Sequence, residues 1–96
     1  MTTDIYTASC MYNAEYGAMA LDAQKSYLDE EIAIKDIVAS VRATCQSHGG
    51  GEFKEEDEKA VRRSLEERHE YRADYGNGNR FLWTLVHDSL PAKEEA

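Results

Sequence analysis

The stretch Tyr27–Cys45, YLDEEIAIKDIVASVRATC, decides how the rest of this chain is read. Tyr27, Ile34, Val38, Val41 and Cys45 recur at seven, four, three and four residues, with Ile37 beside them. That spacing keeps one apolar stripe on one side of a helix. Leu28 and Ile32 lie about a third of a turn away at ~100° per residue, so a second stripe implies neighbours on two sides. Ser26 with Asp29 three residues on has the form of a capping box for a fresh helix start inside a segment running over 22–47; without that break the first two segments form one long helix.

Working towards the N-terminus, Ile5, Tyr12 and Met19, with Ala8 and Tyr16, fall near one helical face. They predict a helix from Asp4 or Ser9 to Leu21, with a short strand at Asp4–Ala8 as the competing reading. Gly17 inside that helix costs ~1 kcal/mol relative to alanine. Working towards the C-terminus, His48-Gly49-Gly50-Gly51 ends the central helix and sets a glycine-rich hinge at 48–52. Glu55-Glu56-Asp57-Glu58 then opens a third helix over about 54–74, where acids in the first turn complement the helix dipole. Glu55/Lys59, Glu58/Arg62, Arg62/Glu66 and Arg63/Glu67 are spaced for side-chain pairing along it. The thin apolar stripe of this helix is Val61, Leu65 and His69. Tyr75–Asn79 reads as a turn, with Asn79 as an N-cap. Phe81, Leu82, Leu85, Val86 and Leu90 read as a last short helix stopped by Pro91, and 91–96 as a solvated tail. These segments predict one all-α domain over 1–96, a bundle of three or four helices with Val38 and Leu85 in its core.

Composition bounds the function. The chain has 96 residues and a net charge of −8, from 19 acids against 11 bases. Its best basic cluster, Arg62, Arg63, Arg68 and Arg72, is interleaved with Glu66, Glu67 and Glu70. Direct binding of nucleic acid or an anionic membrane is therefore not expected. An acidic surface favours a partner with a basic one. No apolar run is long enough to cross a membrane, the N-terminus has no signal-peptide pattern, and two cysteines do not make a disulfide framework. A cytoplasmic setting is the expectation.

Motifs for chemistry are thin. Cys45-x-x-His48 has metal-ligand spacing, but it lacks a second pair and Cys45 belongs to the apolar stripe. Glu66-x-x-His69 resembles half of a di-iron motif without the other half. No nucleophile motif surrounds Cys10, and the acids after Gly49-Gly50-Gly51 do not suit a phosphate loop. No cofactor, metal or catalytic residue is expected, and a small metal-binding enzyme is the remote alternative.

Two surfaces remain. Six tyrosines against two phenylalanines suggest binding anchors, since tyrosine offers area with a polar tip. Glu15, Asp22, Asp29 and Asp36 are each seven apart, and on one continuous helix they would form a row of carboxylates ~10.5 Å apart. With Tyr12 and Tyr16 beside it, that row predicts a surface that meets a basic partner and imitates a strand of phosphates. The expected function is an acidic protein-binding module that inhibits a nucleic-acid-handling protein. It is similar in style, not by shared residues, to compact acidic inhibitors that phages use against host restriction or CRISPR machinery. The alternative is an adaptor that self-associates as a homo-oligomer through the tyrosine-rich N-terminal helix and the Leu28/Ile32 stripe.

Overall fold

A computed structural model describes residues 2–13, 19–48, 51–76 and 79–91. The element order is β1 (Thr2–Asn13), β2 (Met19–Tyr27), α1 (Glu30–Ser47), α2 (Glu55–Arg68), β3 (Glu70–Asp74) and β4 (Arg80–Pro91). The four strands form one antiparallel sheet in the order β2-β1-β4-β3. Both helices lie on the same side of it: α1 over β1, reaching β2 and β4, and α2 against β3 and α1. The protein is thus a two-layer α+β fold, and the expected all-α bundle is overturned.

Successive side chains of a strand point to opposite faces, and this parity builds the core. Tyr6, Ala8, Cys10 and Tyr12 of β1 stand opposite His87, Leu85, Trp83 and Phe81 of β4 on the side the helices cover. Tyr71 and Ala73 of β3 join them there. From above, α1 contributes Ala33, Ile34, Ile37, Val38 and Val41, and α2 contributes Val61 and Leu65. Trp83 is fully buried at the centre, and its indole Nε1–H donates to Ser40 Oγ of α1 at 2.9 Å. A buried tryptophan with its one donor satisfied contributes area without an orphaned polar group.

The helices are shorter than the periodicity predicts, for identifiable reasons. Asp29, not Ser26, caps α1: its Oδ1 accepts from the backbone N–H of Glu31 at 2.8 Å and of Ile32 at 3.2 Å. Residues before it belong to β2, where Tyr27 pairs with Tyr6. The stripe from Ile34 to Cys45 is buried as expected, but Leu28 and Ile32 stay 74% and 52% exposed, so the second stripe packs against nothing. The predicted helix over 54–74 divides at His69, whose φ of 60° reverses the chain. Its backbone N–H still donates to Leu65 O at 2.9 Å, and its carbonyl accepts from the Leu85 N–H at 2.9 Å. His69 therefore closes α2 and starts the sheet. Of the expected intrahelical pairs, Glu58–Arg62 (3.2 Å) and Glu55–Lys59 (3.7 Å) form. Arg62 also reaches Glu31 of α1 at 2.9 Å, and Arg42 reaches Glu58 at 3.3 Å, tying the helices together.

Of the helices predicted at Asp4–Leu21 and Phe81–Leu90, residues 4–13, 19–21 and 81–90 are strands, as the competing reading had it for Asp4–Ala8; residues 14–18 lie outside the described residues. Ile5 and Tyr12, taken as one helical stripe, lie on opposite sides of the sheet. In β4, Phe81, Trp83 and Leu85 face the helices, whereas Leu82, Val86 and Leu90 face away. Apolar residues on both faces of a strand mimic helical spacing. Val38 and Leu85 are buried as expected, Leu85 from a strand. At the far end of β1 and β4, Asp4 Oδ1 accepts from Ser89 Oγ at 3.1 Å and pairs with His87 Nε2 at 3.0 Å. These contacts hold the Asp4 carboxyl below the usual range.

This packing fixes where stability resides. Ile37→Ala and Leu85→Ala should each cost roughly 2–4 kcal/mol, whereas Ile32→Ala should change stability by less than about 1 kcal/mol. Urea unfolding followed by Trp83 fluorescence, which comes from the sole tryptophan, measures all three. Equal effects at Ile32 and Ile37 would mean that α1 presents a different face to the sheet.

Candidate functional site

The predicted carboxylate row needed one continuous helix from Glu15 to Asp36, and that helix is absent among the described residues. Glu15 and Tyr16 lie outside the described residues. Asp22 falls in β2, Asp29 caps α1, and Asp36 lies one stretch further along α1. Asp36 lies near Tyr27, whose phenol is raised by burial first and then by that carboxylate. Tyr12 is elsewhere. It lines a cavity of about 390 Å³ with Ser47 and His48 at the C-terminal end of α1. That end is ~27 Å from Asp29 along an 18-residue helix. Asp29 and Asp36 are thus brought near Tyr27 and kept apart from Tyr12.

What the fold assembles around Tyr12 is an aromatic end of the sheet. Tyr12 and Phe81, opposite each other on β1 and β4, have ring centroids 4.9 Å apart. Phe81 continues to His48 at 5.0 Å, Tyr75 at 5.9 Å and Trp83 at 5.6 Å, and Trp83 meets Tyr71 at 5.9 Å. Strand parity explains the gathering, since each ring stands on the helix-facing side. The hydroxyl of Tyr12 donates to Asn79 Oδ1 at 2.9 Å, tying β1 to the turn before β4. Asn79 serves there and not as a helix cap. That turn is closed by Tyr75 N–H to Asn79 O and Asn79 N–H to Gly76 O, both 2.9 Å, and Gly76 takes the left-handed φ of 84°.

Next to this end, β3, α1 and the start of α2 enclose a cleft of about 310 Å³. Phe53, Tyr71 and Tyr75 supply its rings, Glu52, Asp57 and Asp74 its carboxylates, and among the described residues no lysine or arginine lines it. Asp57 is positioned by helix capping: its Oδ2 accepts from the Lys54 N–H at 2.8 Å. Asp74 is positioned by its turn: its Oδ1 accepts from the Gly76 N–H at 2.9 Å, and its Oδ2 lies 3.5 Å from Arg80 Nε. Glu52 makes no hydrogen bond or ion pair among the described residues. The Arg42 guanidinium stands over the Phe53 ring at 5.4 Å, so a cation on an aromatic face already occurs at the border of this cleft.

The cleft keeps its phenols neutral. Burial raises Tyr71, and the Asp57 charge adds to it. Burial, with Cys45 and Asp57 adding, pushes Tyr75 up to about 12. Cys45 lies behind these rings, its Sγ 3.7 Å from Gly51 O. With His48 Nδ1 turned to Thr44 O at 3.1 Å, the Cys45-x-x-His48 pair is spent on backbone contacts. Among the described residues no group of three or more His, Cys, Asp or Glu side chains is placed to hold a metal ion. A third cavity, about 240 Å³, lies under α1 where Lys25 and Asp36 offset each other's charge beside Cys10 and Trp83. The acidic, aromatic cleft escaped the sequence reading because its parts come from residues 41–75, across a helix junction and a strand read as helix. The spacing Tyr71-x-x-x-Tyr75 was its one legible sign.

No protein-family model, curated protein sequence or solved structure matches this chain, so the arrangement of its own residues carries the reading. One property of the cleft is measurable without a partner. A phenol whose pKa is raised from 10.0 to about 12 on folding contributes stability that is full below pH 10 and lost as pH rises through 12. An ultraviolet absorbance titration should show one tyrosine ionising after the others, and Tyr75→Phe should remove that step and flatten the alkaline loss of stability. Six tyrosines titrating together near 10 would contradict the burial of Tyr75.

Proposed function

We propose that this chain is an acidic protein-binding module, without catalysis or cofactor, that inhibits a basic partner by taking one of its arginine or lysine side chains into the cleft at Glu52, Phe53, Tyr71 and Tyr75. The observation that carries this reading is the lining itself: three carboxylates and three aromatic rings around one concavity, with no lysine or arginine among the described residues that line it and Arg42 and Arg80 at its border. A cation entering there meets ring faces and negative charge together, an arrangement worth ~0.5–2 kcal/mol for the ring contact. Exposed ion pairs alone contribute about 0–1 kcal/mol each, so the rings decide affinity and the charges decide encounter.

The partner class follows from charge. A net −8 on a chain of this size repels nucleic acid and attracts surfaces built to bind it. A nucleic-acid-handling protein whose basic surface is covered in this way loses access to its substrate. Imitation of a row of phosphates is not needed for that outcome. No helix among the described residues is long and apolar enough to cross a membrane, and a cytoplasmic setting is part of the proposal.

The test uses an arginine-rich peptide as a stand-in for the basic surface, titrated into the labelled protein and followed by NMR at two salt concentrations. Amide shifts should concentrate at 52–57 and 71–76 and weaken at high salt. Glu52→Lys should lower affinity roughly three- to tenfold, and Tyr75→Leu, which keeps apolar volume, about two- to twentyfold. Shifts centred on Asp29 and Asp36, or wild-type affinity in both variants, would remove the cleft from the proposal.

A further inference from the structure

The face of the sheet that the helices leave uncovered has the wrong composition for water. An antiparallel sheet with one solvated face normally alternates apolar inside and polar outside. Here the outward positions carry Ile5 and Met11 on β1, Leu82, Val86 and Leu90 on β4, and Leu21 on β2. Leu21, Val86 and Leu90 are 55%, 47% and 49% exposed. Between them stand small hydroxyl residues: Thr7 pairs with Val86, Ser9 with Thr84, and Thr7 Oγ1 meets Ser26 Oγ at 2.9 Å. The result is an apolar and hydroxyl-bearing surface along the two central strands.

Its charge is as telling as its apolarity. Among the outward positions of β1 and β4 from Thr3 to Met11 and from Leu82 to Leu90, Asp88 is the sole charged residue. The border along β3 carries Glu70, Arg72, Asp74 and Arg80, which neutralise one another in two ion pairs, Arg72–Glu70 at 2.6 Å and Arg80–Asp74 at 3.5 Å. An apolar, charge-depleted centre with a polar, neutral border is the anatomy of a protein interface. A basic partner would find nothing to pair with here.

We infer that this face is the interface of a homodimer, in which two copies pack sheet against sheet with their helices outward. A second copy is the occupant that the charge balance selects. Two chains of −8 repel each other through the helical layer and meet with least repulsion across a face that is nearly neutral. The area agrees. Strands of 12, 12, 9 and 5 residues at ~3.3 Å per residue and ~4.8 Å between strands give a face of roughly 600 Å². Two such faces bury on the order of 1,200 Å², which reaches the size of stable interfaces. Aligned packing of twisted sheets about 10 Å apart accommodates these side chains, and a two-fold axis places each apolar residue in the contact twice. The outer edge of β2 is the competing route to self-association, but Lys25 and the irregular register at Cys10/Met11 blunt it. The inference does not use the aromatic lining of the cleft, which lies on the helix side of the sheet; the two share Asp74 at the β3 border.

The test is sedimentation equilibrium of the full chain across a wide dilution series starting in the high-micromolar range. Wild type should sediment at twice its 10.9 kDa chain mass and remain dimeric at high salt. Val86→Lys places two unpaired ammonium groups in the contact and should weaken it about a hundredfold or more. Val86 is half exposed in the single chain, so the variant should keep the wild-type circular dichroism and Trp83 fluorescence. Leu28→Lys, at the uncovered start of α1, should leave the dimer intact. A wild-type chain that sediments at its single mass throughout overturns the inference. A dimer that survives Val86→Lys, or that is broken by Leu28→Lys, overturns it equally and moves the contact to a sheet edge or to α1.

Discussion

Twelve residue pairs, from Thr2↔Pro91 to Asn13↔Arg80, join the first strand of the chain to the last. Every other element takes its position from that pairing. β2 and β3 are each hairpin neighbours of one member of it, and α1 lies across it with Trp83 beneath and Ser40 above. The contact is the most distant in sequence that the chain can make, so its closure entropy has to be met before the reward of burial arrives. The two hairpins and the capped helices are local contacts with little closure cost. The central pair is non-local, the kind of contact that slows the folding of small domains.

Strand parity turns that pairing into surfaces of different kinds. One parity of β1 and β4 gives the buried aromatic and aliphatic layer under α1. The other gives the uncovered apolar face. The helices carry the dense charge: the first turn of α2 alone has Glu55, Glu56, Asp57 and Glu58. The acidic, aromatic cleft forms where these domains of character meet, with ring faces from β3 and carboxylates from the α2 cap and the β3 turn. It needs no dedicated insertion, because capping places Asp57 and turn chemistry places Asp74 for reasons of folding alone.

The parts legible in the sequence were those with a single period. The Ile34–Cys45 stripe reads as a helix and is one, since four of its apolar positions meet a single sheet face. The first turn of α2 and the turn at 75–79 were readable from acids, glycine and asparagine. The strands were not, because β1 and β4 are apolar on both parities. A strand buried on one face and sticky on the other satisfies helical spacing by accident: Leu82, Leu85 and Val86 do so across two faces. The break at His69 was hidden for another reason. Left-handed backbone usually announces itself with glycine, and here histidine adopts it, with both backbone hydrogen bonds of the residue engaged to hold it there. The carboxylate row failed for the same cause as the bundle: its spacing of seven has meaning along one helix and none across a strand and a cap.

The apolar second parity that misled the helical reading is itself informative. A chain with 19 acids has ample charged material, yet the outward positions of β1 and β4 from Thr3 to Met11 and from Leu82 to Leu90 receive one charge, Asp88. Threonine and serine there would be sufficient for solvent, and they occupy several positions, so leucine and valine at the others are not a default of β propensity alone. Exposed apolar area on a sheet carries an aggregation hazard, which is reduced when the face is consistently covered. Charge on the helical layer would then have a second role beside the proposed attraction of a basic partner. In the proposed dimer it would disfavour every orientation but the one in which the neutral faces approach, so the −8 proposed to speed encounter with a basic surface would also select how two copies meet.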